Sequence, residues 1–411
     1  MQDNYFREIP HNWDISKFGD LAKITCGIAA TPEYVDATVG VPFLSARNVQ
    51  NGRLDLKYFQ YIPIELHKKL TKNTKPQKGD ILLTRVGAGI GDAAVVNIDF
   101  DFSIYVSLTL IKCGKKLDSE FVTLLLRTSY YRYLATRDQF AGGGVQNLNV
   151  QMVKEYPIIV PPLAEQQKIA QILSTWDKAI AVTEQLLANS QQQKKALMQQ
   201  LLTGKKRLLE ENGVRFEGEW RKQRLGSLLK EGKERNKDNS ISRVLSVTNH
   251  SGFVLPENQF SKRIASDEVS HYKVVRKGQY GYNPSRINVG SFARLDQFSE
   301  GLLSPMYVVF SIDSVELDSD FFLYWMQSNE AQQRINNSTQ GSVRDSVGFD
   351  AICSFLFKMP SLEEQKKISA VISASLQEIK LLETKLDYLQ QEKKALMQQL
   401  LTGKRRVKIA V

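Results

Sequence analysis

The sequence has little of what binds metals or forms disulfides. Its three cysteines, Cys26, Cys113 and Cys353, stand far apart with no CxxC spacing, which excludes a disulfide framework or zinc ribbon and predicts reduced, buried thiols. The four histidines, His11, His67, His250 and His271, form no HExxH or HxH pair, so no metal site is expected. No apolar run reaches the roughly 18 residues that span a bilayer. Residues 1–10 carry Asp3, Arg7 and Glu8 where a signal peptide has its apolar core. No membrane partner is expected, and a cytoplasmic location follows.

What remains is an ordinary globular balance, 42% hydrophobic and 24% charged, over 411 residues. That length suits two to four compact units. Lys plus Arg exceed Asp plus Glu by 55 to 44, a formal charge of +11. Such an excess favours polyanionic partners, because neutralising phosphates releases condensed counterions, but it is unspecific by itself.

The sharper signal is an internal repeat. Residues 194–205, KKALMQQLLTGK, recur unchanged at 393–404, 199 residues later. At the same offset LAEQQKI (163–169) answers LEEQKKI (362–368), and Pro161 answers Pro360. Both segments read as helices that begin near proline or a cap and end at a glycine, Gly204 or Gly403, suited to a left-handed position. Ser361 with Glu364 has the spacing of a capping box. Apolar positions step by fours and threes from Ile169 to Leu201 and from Ile368 to Leu400, a heptad seam on each helix, and the two stripes can cover each other. A helix of this length measures about 60 Å.

Before each helix lies enough chain for a domain. WDISKFGDL (13–21) and WRKQRLGSL (220–228) share the spacing of Trp, Gly and Leu. KGDILLTRVGAGIGDAAVV (78–96) and KGQYGYNPSRINVGSFARL (277–295) share a frame but not side chains. Alternating apolar and polar residues around these glycines, with beta-rich runs at 43–49 and 306–312, predict twisted sheets. Segments 120–136 and 320–335 predict the main helices, their aromatic faces turned to the core. The expected fold class is α+β: domains of mixed α/β type at 1–160 and 206–359, alternating with helical segments 161–205 and 360–411 that form an antiparallel coiled coil with a pseudo-two-fold repeat.

Two dissimilar domains separated by near-identical helical repeats resemble the specificity subunit of type I restriction-modification enzymes. PPLAEQQKI, PSLEEQKKI, the paired KKALMQQLLTGK ends and GQYGYNPSRINVGS carry the resemblance, which covers essentially the whole chain. It implies two target-recognition domains, each reading half of a split, asymmetric site in double-stranded DNA, with the helices as a ruler. It implies two methyltransferase subunits docked on this chain and two restriction subunits in the full complex. Residues 191–195 and 390–394 are the candidate docking faces. It also implies a chain that is itself non-catalytic and binds no cofactor, S-adenosylmethionine belonging to the methyltransferase subunits.

Base edges are read by Arg, Asn, Gln, Ser and Thr. Beside glycines and strand ends, where backbone can approach DNA, the candidates are Arg47, Asn48, Arg85, Gln146 and Asn147 in the first domain. In the second they are Thr248, Asn249, Asn283, Ser285, Arg286 and Arg344. Two other readings compete. A coiled-coil adaptor that binds only proteins would account for the helices but not for two basic, beta-rich domains. A methyltransferase or nuclease would need chemistry that is missing: NPSR (283–286) lacks the second proline and the aromatic of an NPPY-type motif, and GAGIG (87–91) fits neither GxGxxG nor a Walker loop.

Overall fold

In the computed structural model, the described residues are 9–29, 31–137, 147–255, 268–339 and 346–409. The chain forms two compact units, Met1–Glu184 with Thr384–Val411, and Gln185–Glu383. Each unit therefore combines a mixed α/β domain with a stretch from each of the two long helices, Leu163–Leu201 and Leu362–Leu400.

In the first unit the central sheet is antiparallel, in the order Ala22–Cys26, Leu108–Cys113, Ile81–Thr84, Ala93–Val95. The second unit repeats it as Leu229–Glu231, Val308–Ile312, Tyr280–Tyr282, Phe292–Arg294. The repeat reaches individual hydrogen bonds. Gly79 N–H donates to the Val96 carbonyl and Gly278 N–H to that of Leu295, both at 2.8 Å. The units differ in their outer strands. The first adds a three-stranded sheet of Gln60–Pro63, Gly40–Leu44 and Ser103–Ile104. The second has a pair, Lys273–Arg276 with Glu300–Leu303.

The predicted domain helices are each broken in two, as Ser119–Leu126 with Ser129–Arg137 and Ser319–Met326 with Asn329–Thr339. Hydroxyl groups mark the breaks. Thr128 Oγ1 donates back to the Leu125 carbonyl, and Ser328 Oγ accepts from Ala331 N–H as a cap. The aromatic faces are core as expected: Phe121, Tyr131, Phe321, Phe322 and Trp325 are buried. The run 43–49 is not one strand, because the 3-10 turn Ala46–Asn48 interrupts it. Nor are the cysteines all buried, for Cys26 is exposed and the other two are half-buried.

The long helices pair antiparallel within each unit. In the first, Asp177 meets Lys393 and Glu165 meets Arg406, while Ile169 and Leu173 share a core with Leu396 and Leu400. In the second, Ile368 and Ile372 share a core with Leu197 and Leu201. Fully burying such a side chain contributes roughly 1.5 to 3 kcal/mol, so these seams hold the helices to their domains. Gly204 and Gly403 take the left-handed conformation foreseen for them, at φ of 70° and 73°.

The repeated EQ of LAEQQKI and LEEQKKI has a defined task. Gln166 accepts from Asp118 N–H and donates to the carbonyls of Lys116 and Pro161; Gln365 accepts from Asp318 N–H and donates to those of Glu316 and Pro360. The preceding glutamates are both only 1% exposed and each takes an arginine on both oxygens: Arg406 on Glu165 at 2.7 and 2.8 Å, Arg207 on Glu364 at 2.6 and 2.8 Å. A tryptophan lies beneath each arginine, Trp13 under Arg406 and Trp220 under Arg207. The predicted capping box at Ser361 is thus half formed. Ser361 accepts from Glu364 N–H, while the Glu364 carboxylate turns to Arg207.

Candidate nucleic-acid interface

In the first unit, Ser107 ties two candidate segments together: its Oγ accepts from Ala46 N–H and its carbonyl from Arg85 N–H. Arg47 projects from the 3-10 turn between them and is exposed. It lines a cleft of about 800 Å3 with Tyr34, Gln50, Tyr58, Gln60 and Tyr105. Tyr58 is 87% exposed, an unusual position for so large a ring, and it stands beside donors and acceptors that suit base edges.

Two of the predicted readers are spent on structure. Asn48, 2% exposed, accepts from Ser45 N–H and donates to the carbonyls of Asp55 and Tyr58, so no amide edge is left to offer. Arg85 is buried; its Nε donates to the Leu148 carbonyl and its Nη2 to Asn147 Oδ1, both at 2.9 Å. It clamps the segment at 147–148, while Asn147 stays exposed. Gln146 lies outside the described residues.

In the second unit, the hairpin formed by Ser246–Thr248 and Gly252–Val254 packs against strand Phe292–Arg294, with Asn249 alongside Gly290. Asn249, Ser285 and Arg286 are exposed together here. Thr248 Oγ1 is consumed within the hairpin, donating to the Gly252 carbonyl and accepting from Ser251 N–H. Asn283 is a turn residue, its Oδ1 accepting from Ser285 N–H at 3.0 Å. Arg344 lies outside the described residues.

The two surfaces occupy one frame. Leu148 N–H donates to the Arg85 carbonyl in the first unit, and Val347 N–H to the Pro284 carbonyl in the second, residues related by the same 199-residue offset. Gly91 and Gly290 are likewise equivalent, with φ of 83° and 95°. The Gly87–Gly91 loop does not form a phosphate cradle, because Ile90 is buried and a Cβ on Gly91 would meet Ala135 at 3.0 Å. Of the docking faces, residues 191–193 and 390–392 are exposed, but Lys393 is buried against Asp177 and presents no charge outward.

Residues 10–189 and 285–391, more than half of the chain, match the type I restriction modification DNA specificity domain. The chain belongs to that family. It is 22% identical to the type I restriction enzyme MjaVIII specificity subunit of Methanocaldococcus jannaschii, over 97% of this chain and 94% of that protein. It is 21% identical to the StySPI specificity subunit of Salmonella potsdam, over 88% of this chain and 81% of the other. The fold is that of the type I restriction-modification system S subunit from M. genitalium, with a TM-score of 0.57, 15% identity and 98% of both chains covered. Among its described residues, this member of the specificity family has no helix long and apolar enough to cross a membrane.

Gln50, Tyr58 and Gln60, which the fold sets around Arg47, were not singled out from residue type and spacing. An Asn-Gly pair at 51–52 was the available signal, since it marks a tight hairpin that would carry its neighbours to the surface.

Proposed function

We propose that this specificity-family chain reads a bipartite, asymmetric DNA site, one half through each domain, and is itself non-catalytic. Arg47, Gln50, Tyr58, Gln60 and Asn147 form the reading surface of the first domain, and Asn249, Ser285 and Arg286 that of the second. The observation that carries this reading is the repeated frame bearing different exposed side chains, since a duplicated scaffold with unlike surfaces suits a site with unlike halves. The long helices set the spacer and dock two methyltransferase subunits, with two restriction subunits completing a cytoplasmic complex. S-adenosylmethionine belongs to the methyltransferase subunits and no cofactor to this chain.

The test is methylation-resolved sequencing of a methylation-free bacterial host that carries this chain with its neighbouring methyltransferase subunit, against the methyltransferase alone. A split motif that depends on this chain is expected. Identical methylation in both samples, with the complex shown to form, would refute the reading. Inserting one heptad after Gln193, which preserves the seam, is expected to change the spacer and leave both half-sites as they were.

A further inference from the structure

We infer that one position of the repeat, Asp92 in the first unit and Ser291 in the second, is a positioning residue that fixes the reading hairpin to the domain's central sheet. This rests on the DNA-reading proposal above. Both residues follow the left-handed glycine, and their carbonyls accept equivalent bonds, from Thr84 N–H at 2.8 Å and Asn283 N–H at 3.2 Å. Both are buried, at 6% and 3% exposure.

Their side chains reach the hairpin by different chemistry. Ser291 Oγ donates directly to the Val247 carbonyl at 2.7 Å, at the base of the hairpin that presents Asn249. Asp92 acts through an arginine. Its carboxylate forms an ion pair with Arg127, 3.7 Å from Nε and without a hydrogen bond, and accepts from Arg132 Nη2 at 3.2 Å, while Arg127 Nη2 donates to the Asn51 carbonyl at 2.9 Å. Asn51 and Gly52 form the turn of the 49–54 hairpin, at φ of 52° and 79°. The guanidinium lies flat on that turn, so a Cβ on Gly52 would come within 2.1 Å of Arg127 Nη1. Gln50, on this hairpin, donates to the Arg47 carbonyl at 2.9 Å, which passes the hairpin's placement on to the cleft. A carboxylate with two arginines in one unit and a hydroxyl in the other thus hold hairpins that carry different readers.

A brace of this kind sharpens discrimination by limiting where a reading side chain can move. It makes no contact with DNA and needs none. The prediction is therefore specific to one half-site per variant. Methylated motifs are mapped for the full chain with its methyltransferase subunit, as above, using Asp92→Asn, Arg127→Gln, Gly52→Ala and Ser291→Ala. A correct base pair is preferred by roughly 5- to 150-fold at each read position. Asp92→Asn, Arg127→Gln and Gly52→Ala are expected to cut that preference about fivefold or more at one or more positions of one half-site, and Ser291→Ala to do so in the other half only. Gly52→Ala removes no charge, so it decides alone if Arg127→Gln is not recovered folded. If wild type gives its split motif while the variants leave both halves unchanged, or weaken both equally, the brace is wrong and the DNA reading stands. If wild type itself gives no motif dependent on this chain, both fail together.

Discussion

Removal of Arg406 is expected to destabilise one unit and spare the other. Glu165 is 1% exposed and accepts two bonds from Arg406 and one from Trp13 Nε1 at 3.0 Å, with the Val407 backbone also supporting its charge. Stranding one partner of a buried ion pair costs about 3 to 5 kcal/mol. The Arg406 side chain is 43% exposed, so water already screens part of the interaction, and the Trp13 bond survives in Arg406→Ala. Both considerations lower the expected cost to about 2 to 3 kcal/mol. The double variant Arg406→Ala/Glu165→Gln should recover about 1 kcal/mol of that, because a neutral amide can still accept from Trp13 without a stranded charge. The assay is native-state hydrogen exchange read by peptide, since two units preclude a single unfolding equilibrium. In Arg406→Ala, peptides around 13–22 and 157–170 should exchange about 30- to 150-fold faster, while those around 308–326 keep their wild-type rates. Equal acceleration in both units, or a double variant no more protected than the single, would refute the reasoning.

The sibling clamp should cost more to break: Arg207 is only 20% exposed, so Arg207→Ala is predicted to exceed Arg406→Ala by about 1 kcal/mol in the same exchange measurement, now in the second unit. Burial disfavours the charged form of Glu165, yet the bonds from Arg406 and Trp13 outweigh it and hold the carboxyl below its ordinary value. A depressed folded value means stabilisation that is complete above the ordinary carboxylate range and lost as pH falls through the lower folded value. Acid exchange profiles of the first unit should show that loss in wild type, and a smaller acid-dependent loss in Glu165→Gln. Gly403→Ala adds a Cβ 2.4 Å from Pro10 Cδ at φ of 73°, whereas Gly213→Ala meets nothing within 4 Å at φ of 83°. The first should therefore cost its unit at least about 1 kcal/mol more than the second costs the other, by the same peptide-resolved hydrogen exchange. Cys26 is exposed, and burial pushes the Cys113 thiol up to about 11, so a maleimide at neutral pH should label Cys26 first and Cys113 only on unfolding.

Local signals carried much of the architecture into view from the sequence. Helix seams and glycine ends depend on residues within a few turns, so Ile169, Leu173, Gly204 and Gly403 were legible, as was the aromatic core around Phe321 and Trp325. The helix breaks were less so, because Thr128 and Ser328 are compatible with a continuing helix until their hydroxyls choose a backbone partner. Readers and braces could not be separated by residue type. Arg47 and Arg85 both flank turns, yet one faces solvent and the other is drawn in by the Leu148 carbonyl, a partner 63 residues away. The same distance effect hid the Asp92 to Arg127 to Asn51 chain and the pairing of Glu165 with Arg406.

That last pairing sets an order of events during synthesis. The second unit is one continuous stretch, Gln185–Glu383, whereas the first is closed by Thr384–Val411. Glu165 and Arg406 are separated by 241 residues, which a ribosome adds in about 10 to 50 s at 5 to 20 residues per second. The unit that leaves the ribosome first is thus the last to be finished, and for that interval a buried-to-be carboxylate and the edge of the core that Leu396 and Leu400 complete wait open while the later unit can already close on itself.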